Sequence, residues 1–155
     1  MNISDTLLQR LMEMEGCRLK AYRDASGVPT IGYGHTKGVR MGDCISQQQA
    51  SDWLRQDAYQ VMLQVRRLHV ARTEAQLESL TSFAFNVGIG RLLRSSLLKA
   101  IRQGASKQAI QREFKRWVYA GGKRLPGLET RRQWEATHFF EPSYPTDDEI
   151  IDRVL

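Results

Sequence analysis

The sequence predicts an α+β fold: a first helix, a small antiparallel sheet, a long helix, and a second half that is helical throughout. Three observations predict it. Apolar residues recur at helical spacing on both sides of one short segment, between Arg18 and Tyr33. That segment instead shows short alternating runs broken by Ser26-Gly27, Gly32 and Gly34, the pattern of a hairpin or small meander. Strands are therefore segregated from helices, which disfavours a βαβ layout.

Each element follows from its own residues. From Ile3 to Glu15, the residues Ile3, Leu7, Leu8, Leu11 and Met12 share one face of an amphipathic helix. The sheet follows from Arg18 to Tyr33, with Ala25-Ser26-Gly27 as its first turn. Ser46-Gln47-Gln48-Gln49 reads as a capping box, in which the serine accepts an orphan N–H and the glutamine reaches back. It opens a helix carrying Ala50, Trp53, Leu54, Val61, Val65 and Leu68, expected to run to His69. Some twenty residues at 1.5 Å each span ~30 Å, enough to link two lobes. A second capping box, Thr73-Glu74-Ala75-Gln76, starts a helix that turns Leu77, Leu80, Ala84 and Val87 inward and ends at Gly88 and Gly90. Ser95 or Ser96 caps a short helix ending at Gly104. Ser106 caps another with Ile110, Phe114 and Trp117. Gly121-Gly122 opens a loop containing Pro126-Gly127, and a last helix is expected from Leu128 to Phe140. Beyond Pro142, Asp147, Asp148, Glu149 and Asp152 form an acidic tail, expected to be loosely ordered or a single helical turn. No internal repeat is visible.

Composition narrows the classes. A chain of 155 residues, 41% hydrophobic and 26% charged, is an ordinary globular domain able to bury a core. No apolar run approaches the ~20 residues needed to span a bilayer. Met1-Asn2-Ile3-Ser4-Asp5 lacks the basic and apolar regions of a signal peptide, so cytoplasmic synthesis is expected. Cys17 and Cys44 are then expected as free thiols. Three scattered histidines and two cysteines give no metal-ligand spacing, and no glycine-rich phosphate loop follows a strand, so neither metal nor cofactor is expected. The excess of 23 Lys+Arg over 17 Asp+Glu favours an anionic partner such as nucleic acid, an anionic membrane or a bacterial wall polymer. The densest basic cluster, Lys123-Arg124 to Arg131-Arg132, is a loop entering a helix without interleaved stacking aromatics, which argues against nucleic acid.

The chemistry concentrates at Glu15-Gly16, Arg18-Leu19, Tyr22-Arg23-Asp24, Gly27 and Thr30-Ile31-Gly32-Tyr33-Gly34-His35. A carboxylate closes the first helix, a second stands at the first turn of the sheet, and a hydroxyl follows. Paired carboxylates facing one another are what glycosidic bond cleavage requires. A carboxylate at a helix C-terminus is electrostatically disfavoured, so something other than local stability keeps Glu15 there.

This run resembles the signature of the phage-type lysozymes, the endolysin family. Ser82-Phe83-Ala84-Phe85-Asn86-Val87-Gly88 resembles the family's Phe-Asn-x-Gly segment. Arg116-Trp117, Gly121-Gly122-Lys123, Pro126-Gly127-Leu128 and Arg131-Arg132 resemble its C-terminal lobe, especially that of lambdoid-type endolysins. The likeness spans residues 3 to 140; the tail after Pro142 matches nothing in it, and the signal-arrest segment of some relatives has no counterpart. It implies a lysozyme-like two-lobe fold, read as one domain over 1–155. The small sheet lobe falls at 14–50, the linker helix at 46–69, the helical lobe at 1–13 plus 73–141, and the acidic tail at 142–155.

The resemblance further implies a muramidase that hydrolyses the β-1,4 bond between N-acetylmuramic acid and N-acetylglucosamine in bacterial peptidoglycan. Its catalytic set falls on Glu15 as general acid, Asp24 as base or electrostatic stabiliser, and Thr30 positioning water, with inversion at the anomeric carbon. Thr36, Phe85, Asn86, Ser96 and Gln111 fall on its sugar-binding positions. His35 is expected to pair with a carboxylate. Arg131 or Arg132 is expected near Glu15, the other being a solvated helix residue. Trp53, Trp117 and Trp134 are expected in the core. The implied enzyme is a monomer without stable membrane insertion. It waits in the host cytoplasm until a holin-like membrane partner releases it to the periplasmic wall. Two other classes stay open on the same scaffold: a lytic transglycosylase, and a wall-binding protein without catalysis. Asp24 can also be a turn residue, since Asp accepts local backbone bonds, and Thr30 an ordinary β-branched strand residue.

Overall fold

The structure, a computed structural model, describes residues 2–154, apart from the side chain of Asp152. The chain divides into two compact units, Met1–Gln60 and Val61–Leu155.

The first unit opens with α1 (Asp5–Glu15), whose N-cap Ser4 accepts the Leu7 N–H. Leu7, Leu8 and Leu11 are buried along its apolar stripe. Gly16 ends it at φ 65°, a left-handed conformation that a side chain would strain. The chain then enters β1 (Arg18–Arg23) and returns antiparallel as β2 (Pro29–Gly32). Arg18 opposes Gly32 but Tyr22 opposes Thr30, so β1 holds two extra residues in a bulge. On the other edge of β1, the segment around Cys44 adds a third rung: the Ala21 N–H donates to Asp43 and the Ile45 N–H to Leu19. Ser46 then caps α2 (Gln47–Arg66) by accepting the Gln49 N–H at 3.1 Å. Gly32 takes a φ of 64°, which would strain a side chain, while a Cβ there would only reach ordinary contact with Ala50 and Ile45 at 3.4 Å.

The helix α2 ends at Arg66, three residues earlier than expected. Leu68 and His69 close it with i→i−3 bonds, and His69 takes a positive φ of 53°.

The second unit contains α3 (Glu74–Val87), α4 (Ile89–Leu93), α5 (Ser96–Arg102) and α6 (Lys107–Lys115). Thr73, Ser95 and Ser106 each cap their helix through a side-chain oxygen. Gly88 ends α3, but Gly90 lies inside α4 rather than closing α3. The core contains an aromatic cluster: Phe83 meets Phe114 and Trp117 edge-on at 5.8 and 5.4 Å, and Phe114 meets Phe139 at 5.7 Å.

Further expectations fail in this unit. The stretch after Trp117 is not a plain loop: Tyr119–Ala120 (β3) and Lys123–Arg124 (β4) form a two-rung hairpin around Gly121-Gly122. The last core helix, α7 (Pro126–His138), starts at Pro126, whose fixed φ suits the first helical turn. The tail, too, is more than a single turn, since Asp147–Val154 form α8. It is held because α3 needs partners for its first N–H groups. Tyr144 O accepts from Glu74 and Ser143 Oγ from Ala75, while the Thr146 N–H donates to Arg72 O.

Candidate functional site

Glu15 is the last residue of α1 and is half-buried, with no basic residue in the final turn of its helix. Asp24 follows the last residue of β1 and is exposed. Its Oδ1 accepts two backbone N–H groups, from Ser26 at 2.8 Å and from Val28 at 2.9 Å. Its own N–H donates to Val28 O at 3.0 Å, and its carbonyl accepts from Gly27. Arg23 also donates to the Gly27 carbonyl at 3.0 Å. The turn thus holds one oxygen of Asp24 rigidly and leaves Oδ2 outside these bonds.

Thr30 is buried, with 3% of its surface exposed, and its hydroxyl donates to Val28 O at 2.8 Å. The Val28 carbonyl therefore accepts from both the Asp24 N–H and the Thr30 hydroxyl and ties the two residues together. With its one proton committed, the Thr30 oxygen can act toward another group only as an acceptor.

His35 sits just beyond β2, where Ile31 and His35 exchange both backbone hydrogen bonds. Its Nδ1 lies 2.7 Å from Asp57 Oδ2, its Nε2 lies 3.0 Å from Lys37 O, and its ring stacks on Trp53 at 4.3 Å. Asp57 was not legible as that partner, because 22 residues separate the pair. Thr36 is exposed beside it. Cys17 and Cys44 are free thiols, the first 3.8 Å from Gln47 Oε1.

In the second unit, the idea that one of Arg131 and Arg132 is solvated is overturned. They are 3% and 0% exposed, on the inward face of α7, and share Glu135, which is itself fully buried. Arg132 Nε lies 2.9 Å and Arg131 Nε 3.4 Å from that carboxylate. Ser82 donates its hydroxyl to Glu135 Oε2 at 2.6 Å, and Arg131 donates to the Ser82 carbonyl at 2.8 Å. Arg132 also lies over the Phe83 ring and donates to Asn86 Oδ1 at 2.8 Å. Burial pushes the Glu135 carboxyl upward, while the two guanidiniums and the Ser82 hydroxyl oppose it. Glu135 stands at i+4 and i+3 from the two arginines, a spacing that was available in the sequence.

The other sugar-binding candidates divide. Asn86 is exposed at the end of α3 and oriented by Arg132, and Phe85 is half-buried beside it. Ser96 is exposed at the start of α5, whereas Gln111 on α6 is half-buried and donates its amide to Ala136 O at 3.1 Å. Trp117 and Trp134 are half-buried, Trp134 stacking on His138 at 4.7 Å. Among the described residues, no group of three or more His, Cys, Asp or Glu is placed to hold a metal ion.

The Phage lysozyme family model matches residues 12–135. An endolysin of Acyrthosiphon pisum secondary endosymbiont phage 1 is 40% identical over 144 residues, covering 90% of this chain and 98% of that protein. Among solved structures, the muramidase domain of SpmX from Asticaccaulis excentricus superposes with a TM-score of 0.82 at 30% identity, over 90% of this chain and 98% of that one. An endolysin from Escherichia coli O157:H7 phage FAHEc1 does so at 0.76 and 30% identity, over 94% and 98%.

Proposed function

The chain belongs to the phage lysozyme family and is a glycoside hydrolase of the lysozyme type, and on that premise we propose how it lyses peptidoglycan. It cleaves the β-1,4 bond between N-acetylmuramic acid and N-acetylglucosamine, with Glu15, Asp24 and Thr30 carrying the reaction. Glu15 gives its proton to the departing sugar oxygen, help worth ~10²–10⁴-fold in rate. Asp24 stabilises the positive charge that develops at the anomeric carbon and takes a proton from the attacking water.

The observation that carries this reading is the Val28 carbonyl, which accepts from both the Asp24 N–H and the Thr30 hydroxyl. The Thr30 hydroxyl already donates, so a water bound there must donate to it. A water that gives its second hydrogen to Asp24 then has its lone pairs turned away from both, available to the sugar. That geometry favours single displacement with inversion.

Asn86 and Ser96, both exposed, would supply hydrogen-bonding groups for the polysaccharide, with Phe85 and Thr36 in support. Gln111 would contribute only by exchanging its bond to Ala136. Drawn from the family likeness, the enzyme acts on the wall as a monomer, released by a holin-like membrane partner.

The test is digestion of purified peptidoglycan by the wild type and by Glu15→Gln, with the fragments read by mass spectrometry. Hydrolysis leaves reducing ends and Glu15→Gln releases almost none. Fragments ending in 1,6-anhydro sugars would instead mean a lytic transglycosylase, which adds no water.

A further inference from the structure

The positive charge of this chain is unevenly placed. Between Glu78 and Glu113 there is no acidic residue, yet Arg91, Arg94, Lys99, Arg102, Lys107 and Arg112 all stand there. Setting these six aside leaves 17 cations against 17 acids, so the whole net charge of +6 resides in this one segment.

The fold gathers part of it. Arg94, Lys99 and Arg102 surround a groove of about 420 Å³ at the junction of α4 and α5, with Leu93 and Leu98 as its apolar wall. All three cations are exposed, and Leu93 is 48% exposed. Among the described residues, none of Arg91, Arg94, Lys99 and Arg102 makes an ion pair. The Ser95 hydroxyl in the groove is already committed, accepting from Leu98 and donating to Leu92. What the groove offers a ligand is mainly charge and apolar contact.

We propose that this groove docks the protein onto an anionic phospholipid bilayer, its cations meeting headgroup phosphates while Leu93 enters the acyl boundary. Unpaired cations concentrated on one face seek a surface of opposite charge. A soluble polyanion would satisfy the cations and leave Leu93 without a role; a lipid surface uses both. The contact is peripheral: among the described residues, no helix is long and apolar enough to cross a membrane. It uses none of Glu15, Asp24 and Thr30, and goes beyond the hydrolytic reading.

Sedimentation of the full chain with vesicles tests it. The wild type binds phosphatidylglycerol–phosphatidylcholine vesicles, ignores phosphatidylcholine alone, and releases as salt rises. Each cation near such a surface contributes about fivefold, so replacing Arg94, Lys99 and Arg102 with Gln together weakens binding about 100-fold. Turnover of soluble wall fragments by that variant stays at the wild-type level, which separates this proposal from the catalytic one. If the triple variant fails to fold by circular dichroism, Arg94→Gln alone decides, with about a fivefold loss expected. Leu93→Gln weakens vesicle binding but not retention on soluble polyphosphate. Vesicle binding unaffected by the charge removals, or by Leu93→Gln, would overturn the lipid assignment.

Discussion

At the scale of single residues, Asp24 is a turn residue with one carboxylate oxygen left over for the role proposed for it in the reaction. Its Oδ1 is spent on Ser26 and Val28, which makes it a turn residue in the plainest sense. The same bonds orient the second oxygen, and preorganisation of that kind is what an electrostatic stabiliser needs. The turn role and the proposed role in the reaction are thus compatible, because they use different atoms. Thr30 is a buried strand residue whose hydroxyl has a single proton to give, and the Val28 carbonyl takes it. Thr30→Ser therefore keeps most of the activity. Thr30→Val removes the acceptor and is expected to lower kcat by about 10²-fold, the scale of a misplaced reactant, with KM little changed. Steady-state kinetics on peptidoglycan separate the two variants; equal rates would remove Thr30 from the reaction. Neither the bond to Val28 nor the Asp57 partner of His35 was legible in the sequence, since backbone geometry decides the first and a 22-residue separation hides the second.

At the scale of elements, local chemistry was readable wherever a cap or a period specifies it. Ser46, Thr73, Ser95 and Ser106 all accept the N–H groups their positions implied. The second half of the Thr73 box differs: Gln76 reaches back to the Arg72 N–H rather than to that of Thr73. The hairpin of β3 and β4 was missed because two residues per strand show no period. The tail was misread because its order comes from outside it, from the Glu74 and Ala75 N–H groups of α3 that donate to residues 144 and 143. Helix α7 carries the sharpest prediction at this level. Glu135→Gln removes the buried carboxylate that Arg131 and Arg132 share, and breaking a buried pair costs about 3–5 kcal/mol. Urea denaturation measures it; a loss under about 1 kcal/mol, that of an exposed pair, would mean the cluster adds no stability.

At the scale of the whole molecule, the α+β class and the order of elements were legible because apolar periodicity changes only once, around the sheet. Charge placement was equally present in the sequence but only the groove of α4 and α5 gives it a surface. Stability should also depend on pH through His138, which is buried where α7 ends, between Glu78 and Glu141. Burial works against its charged form, but the two carboxylates outweigh it and hold its pKa above the ordinary 6.5. Its contribution is therefore complete below pH 6.5 and is lost as the pH rises through the higher folded value. Melting temperatures across that window should fall more steeply for the wild type than for His138→Gln, and parallel curves would refute the linkage. The central claim, however, is that Glu15 delivers the proton that breaks the sugar chain. The initial rate of reducing-end release from purified peptidoglycan by folded Glu15→Gln tests it most directly. A rate lower by at least about 10²-fold is expected; a rate near that of the wild type would rule out Glu15 as the proton donor.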